Sequence, residues 1–191
     1  MLFYSAIRFF IPLTLCLFFS CGSHSELESM ELELLGGGTF STSSFEQNTT
    51  SVLFFLSPEC PLCLDYANSM REFEKEFGNK AVAFYGIIPT KWFKEEQIEN
   101  YRTRFGLPFP FILDPDMAFT ESMEATTTPQ AVILDNNGAI VYSGAIDNWA
   151  FKVGKKRAKP TEHYLRDALI ALADGKQVKL AKTEPIGCYI E

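Results

Sequence analysis

The segment Ser57-Pro58-Glu59-Cys60-Pro61-Leu62-Cys63 follows directly on the apolar run SVLFFL at 51–56. A short unbroken apolar run of this kind is what a buried strand shows. Downstream, Leu62, Tyr66, Met70, Phe73 and Phe77 recur three or four positions apart, which is one face of a helix, and Gly78-Asn79 end it. The two cysteines therefore lie where a buried strand gives way to a helix. A thiolate at a helix N-terminus is stabilised by the macrodipole and by free backbone N–H groups. Cys60 is expected at the exposed helix tip, with Cys63 one turn in and more buried. The outer sulfur then acts as nucleophile and the inner one resolves the mixed disulfide.

The rest of the chain alternates in the same way. AVAFYGII at 81–88 reads as a second buried strand stopped by Pro89, and residues 92–106 as a helix ending at Gly106. FPFILD at 109–114 is a short strand followed by a brief helical stretch at 116–123. QAVILD, the turn Asn136-Asn137-Gly138 and AIVYSG form an antiparallel hairpin. Residues 161–175 are a last amphipathic helix, with Thr161 as N-cap and Gly175 beyond its end. Upstream, 36–50 carries turn signals around two isolated aromatics, as a hairpin or strand-turn segment does. The expectation is an α/β domain, a central mixed sheet flanked by helices on both faces.

The domain occupies 36–175, preceded by 1–20 as a secretory signal, 21–35 as a tether that becomes ordered near Met30, and followed by a tail, 176–191. The signal carries one positive charge, Arg8, and then an apolar stretch. Ser20-Cys21-Gly22 resembles a bacterial lipoprotein signal, which implies cleavage before Cys21 and lipid on its thiol. An ordinary signal peptide, or an uncleaved anchor, with an incidental cysteine is the alternative. The implied location is the periplasmic side of the cell envelope, held to a membrane by the lipid. A net charge of −7 argues against a general nucleic-acid binder.

Of five cysteines, Cys16 falls in the signal and Cys21 is the lipidation candidate, which leaves Cys60, Cys63 and Cys188. An exported compartment permits disulfides, and an odd thiol is free or pairs conditionally. Structural zinc needs about four ligands, and His24 and His163 lie in the tether and on the last helix, so no metal site is expected.

The stretches SVLFFLSPECPLC, YGIIPT, FPFILDPDMAF and ATTTPQAVILDNNGAIVYSGAID, with the closing helix, resemble the thioredoxin superfamily. The likeness is to its bacterial redoxin branch, akin to alkyl hydroperoxide reductases and thiol-specific antioxidants, and covers residues 38–175. It implies a thiol–disulfide oxidoreductase with Cys60 and Cys63 as the redox pair and no cofactor. It also implies a cis bond at Thr128-Pro129, packed against the pair, whose preceding backbone is free to dock a substrate peptide chain. The implied partners are a protein or small-molecule disulfide or thiol and an upstream thiol donor or acceptor.

Departures from the family pattern are visible. Glu59 replaces a common tryptophan, and its carboxylate should oppose thiolate formation at Cys60. The proline-threonine pattern and arginine of peroxiredoxins are missing, so disulfide exchange is favoured over thiol-dependent peroxidase activity. A copper- or partner-binding module remains the other alternative, since a cysteine pair suits Cu(I). The basic stretch 151–160 is either solvated surface or a rim loop near Cys60. Cys188 lies in a tail that Pro185, Gly187, Tyr189 and Ile190 mark as docked. It is either a small buried hydrophobe or a third redox thiol.

Overall fold

The computed structural model describes residues 29–46, 50–78 and 82–191. The expected signal 1–20, the lipidation candidate Cys21 and His24 lie outside the described residues.

Strand β3 (Thr50–Phe55) is an interior strand of a seven-stranded mixed sheet. It runs parallel to β4 (Val82–Ile88), which runs parallel to β5 (Phe111–Leu113). On its other side β3 pairs antiparallel with β7 (Gln130–Leu134), which forms the expected hairpin with β8 (Ile140–Gly144). Beyond β5 lie β1 (Glu31–Leu34) and β2 (Thr39–Ser41), an antiparallel hairpin turning at Gly36–Gly38. The strand Glu31–Leu34, within the segment 21–35, thus belongs to the sheet.

Alternation along β3 divides the core. Val52, Phe54 and Leu56 point into one apolar cluster with α1 (Pro61–Phe77), α2 (Glu95–Arg104) and α4 (Tyr164–Ala173). Leu53 and Phe55 point into a second with α3 (Ala118–Ser122) and the 3-10 turn Thr42–Glu46. Both faces of β3 are thus dry, which is why its sequence shows no polar alternation. The mixed sheet and helices are those expected from the sequence.

Two boundaries differ. The helix read at 92–106 begins only at Glu95, where Lys94 and Gln97 form a reciprocal cap. The last helix begins at Tyr164 with His163, not Thr161, as its N-cap. Asn148 takes Thr161 out of that role: its amide donates to the Thr161 hydroxyl and its carbonyl accepts the Thr161 N–H, both at 2.9 Å.

Candidate active site

Cys60 is the N-cap of α1, in extended backbone, and Pro61 occupies the first helical position. Proline fits there because its missing N–H has no helical partner in any case. One turn further, Cys63 is fully buried, and its sulfur accepts a hydrogen bond from the Ser57 N–H at 3.5 Å. Tyr101, on α2, donates to the Cys63 carbonyl at 3.4 Å and ties the first turn of α1 to its neighbour. Tyr66, also on α1, donates to Asp147 at 2.6 Å and accepts the Ala150 N–H at 3.3 Å. Tyr66→Phe is expected to cost about 1 kcal/mol, because it strips a partner from the half-buried Asp147 and from the buried Ala150 N–H. The check is thermal melting, in which each kcal/mol lowers Tm by roughly 2–4 °C for a chain of this size.

The bond Thr128-Pro129 is cis, as the resemblance implied. Residues Thr127–Thr128 form β6, and the Cys60 sulfur lies 3.0 Å from the Thr128 carbonyl oxygen, a contact in which the protonated thiol donates. Strand β11 (Cys188–Tyr189) pairs antiparallel with β6, Cys188 opposite Thr128 and Tyr189 opposite Thr127. Thus the structure brings Cys60, Cys63, Thr128, Pro129 and Cys188 to one point. All three described cysteines are free thiols.

Electrostatics separates them. The Cys60 thiol is lowered to about 5, chiefly by a hydrogen bond from the Cys63 thiol; burial opposes this, and the Cys188 thiol and the Cys63 backbone N–H add to it. Cys63 is held well above the usual thiol range, by burial first and by the neighbouring Cys60 second. Cys188 is pushed up to about 11 by burial and then by its hydrogen bond to Cys60. Cys60 is therefore the sulfur that ionises first, and on losing its proton it gives up the contact to the Thr128 carbonyl. Because the thiolate is the nucleophile, alkylation of Cys60 in the reduced protein should rise as pH climbs through about 5. It should be level by pH 7, as read by mass-spectrometric labelling; a midpoint near 9 contradicts the assignment.

One expectation needs correction. Cys60 is not at an exposed tip: it is 2% exposed, because the chain's own tail lies over it. Glu59 is exposed, and the largest influences on Cys60 are the Cys63 thiol and burial. The basic stretch forms a small hairpin of β9 (Ala150–Lys152) and β10 (Lys155–Lys156) against α1. Lys156 pairs with Asp65 and lies 4.9 Å over the Trp149 ring. Among the described residues no group of three or more metal-binding side chains is arranged around an ion site.

Residues that sequence reasoning missed hold the tail. The Ser143 N–H donates to Ala181 O at 2.9 Å, and the Thr183 N–H to Ser143 O at 3.0 Å. The Thr183 hydroxyl accepts the Ala145 N–H at 2.9 Å and bonds Tyr142 at 2.8 Å. Gly144 is required there: a Cβ would stand 2.3 Å from the Thr183 carbonyl oxygen. The tail thus covers the β8 edge before crossing to β6.

The Redoxin family model matches residues 23–152, more than half of the chain. The chain belongs to the Redoxin family. A thioredoxin-like protein of Haemophilus influenzae is 26% identical over 129 residues, spanning 67% of this chain and 74% of that one. The crystal structure of an uncharacterized conserved protein from Geobacillus kaustophilus superposes with TM-score 0.75 at 22% identity, covering 85% of this chain and 88% of its own. A secreted Mycobacterium tuberculosis disulfide oxidoreductase gives TM-score 0.54 at 21% identity, covering 76% and 95%. These structural likenesses establish a thioredoxin-like fold for this Redoxin-family chain.

Proposed function

We propose that the protein is a thiol–disulfide oxidoreductase with Cys60 as nucleophile and Cys63 as resolving thiol. What carries this is the placement of the two thiols, Cys60 at the N-cap with its pKa lowered to about 5 and Cys63 one turn in, fully buried and held well above the usual thiol range. The Cys60 thiolate attacks one sulfur of a substrate disulfide; that S–S bond breaks, a bond from Cys60 to substrate forms, and the other substrate sulfur leaves as thiolate. Cys60 is now neutral, so its charge no longer holds the proton on Cys63. Cys63 gives up that proton and attacks Cys60, and the second substrate thiol departs with it. Two electrons have passed to the substrate, and an external dithiol or thiol pair restores the enzyme. The same steps reversed oxidise a substrate dithiol. Thr128, ahead of Pro129, is the docking edge for a substrate chain. Export and lipidation at Cys21 belong to this reading, supported by the apolar N-terminal stretch and the Ser20-Cys21-Gly22 sequence.

The test is equilibration of the full chain with glutathione couples, together with turnover of a disulfide-bonded peptide in the presence of a dithiol. Formation of the Cys60–Cys63 bridge with peptide turnover supports the reading. Stoichiometric Cu(I) binding without turnover, or peroxide consumption without disulfide turnover, overturns it in favour of a metal-binding module or a thiol peroxidase. For the anchor, detergent partitioning with Cys21 lipidated supports it, and an unmodified Cys21 overturns it.

A further inference from the structure

The edge of β6 ahead of Pro129 is taken, and its occupant is residues 183–190 of the same chain. Cys188 pairs with Thr128 and Tyr189 with Thr127, and the Ile190 N–H donates to Thr126 O at 3.0 Å. The Thr128 hydroxyl reaches the Cys188 carbonyl at 3.5 Å. Backbone pairing with an open edge is how an extended peptide is taken up by strand addition. The fit is close: a Cβ at Gly187 would lie 2.0 Å from the Thr128 carbonyl oxygen, backbone against backbone. Thr183 anchors the other end on β8. Ile186 and Cys188 pack on the core cluster that holds Cys60 and Cys63, while Tyr189 is 82% exposed. A tail docked only for packing has no need to set a thiol on the Cys60 sulfur.

We propose that this tail is a tethered internal substrate: it fills the docking edge as a strand, and the Cys188 thiol exchanges with the Cys60–Cys63 disulfide. The proposal rests on the oxidoreductase reading. In the oxidised enzyme Cys188 loses its proton and attacks the Cys60 sulfur. The Cys60–Cys63 bond breaks, a Cys60–Cys188 bond forms, and Cys63 leaves as a thiolate that takes up the proton. One disulfide and one thiol exist before and after, so no outside oxidant is consumed. The new bridge staples the tail across the edge and closes it to other polypeptides. A reductant reopens it at Cys188, the less buried sulfur, with Cys60 departing as the stabilised thiolate.

The experiment is non-reducing peptide mapping of the full chain. Wild type equilibrated in glutathione buffers should yield Cys60–Cys188 as well as Cys60–Cys63 peptides. Cys63→Ser, treated with oxidised glutathione, should convert mainly to intramolecular Cys60–Cys188. Adding Gly187→Ala should slow the closure step, from the Cys60–glutathione adduct to the Cys60–Cys188 bridge, at least about tenfold, since the tether remains while docking is lost. Separate glutathione adducts on Cys60 and Cys188 in Cys63→Ser, with only Cys60–Cys63 in wild type, overturn the proposal. So does an unchanged rate in the Gly187→Ala variant, because a loose tether then suffices. Peptide-disulfide turnover by wild type is read separately: its absence defeats the oxidoreductase reading, whereas turnover without a Cys60–Cys188 bridge defeats the tail proposal alone.

Discussion

Cys60→Ser is expected to reduce peptide-disulfide exchange to the uncatalysed background, and Cys63→Ser to stall it one step later with Cys60 trapped in a disulfide. The asymmetry follows from where the charge sits. Cys60 is the thiol that ionises most readily, because hydrogen bonds from the Cys63 thiol, the Cys188 thiol and the Cys63 N–H favour its charged form. A serine hydroxyl is not ionised at neutral pH, so none of these donors can make it a nucleophile. Cys63, by contrast, is fully buried and protonated until Cys60 is neutralised. Its removal leaves the attack intact and the resolution missing, so a disulfide at Cys60 should persist and be isolable without reductant. In the Cys63→Ser variant the trapped partner is either the substrate or Cys188, and mass mapping distinguishes them. Preserved turnover in Cys60→Ser, or faster alkylation of Cys63 than of Cys60, would reverse the assignment.

Much of the fold was legible because the sheet's centre is dry on both faces. Val52 to Leu56 alternate between two apolar clusters, so the whole run must be apolar, and the sequence shows it as such. The helix faces were readable for the same reason, burial of a stripe on α1. Helix starts were less so, because the N-cap of α4 depends on Asn148 capturing Thr161 across an intervening loop, a contact without local sequence signal. The site was legible where it is local: Cys60 and Cys63 are one helical turn apart. Cys188 is distant in sequence, and only the folded backbone shows it opposite Thr128. The exposure expected for Cys60 failed for that reason, since a helix tip is open only until another segment covers it. The sequence marks Gly187 only as part of a docked tail, where a glycine serves either a bend or a close approach. Its role is closeness rather than bending, and nothing in EPIGCYIE distinguishes the two.

Gly187→Ala in the otherwise wild-type reduced chain is expected to release the tail and expose Cys60. The added methyl would stand 2.0 Å from the Thr128 carbonyl oxygen and 2.7 Å from its carbon, and both obstacles are backbone, which cannot rotate aside. The pairing of β11 with β6 must therefore open. Glycine-to-alanine changes at unstrained positions usually stabilise by about 0.4–1 kcal/mol through the unfolded chain, so a loss here can be assigned to the clash. The sheet itself is untouched: β3, β4 and β7 keep their pairings, so global unfolding should move little while local opening moves a great deal. Each 1.4 kcal/mol of docking lost multiplies the open fraction by about ten, so Cys60 alkylation at pH 7 should accelerate on the order of tenfold or more. Hydrogen exchange should report the same opening at the Ile190 N–H, which is bonded to Thr126 O in the docked state. An unchanged alkylation rate with that amide still protected would mean that the tail tolerates the methyl by shifting along β6, and that Gly187 does not hold the cover over Cys60.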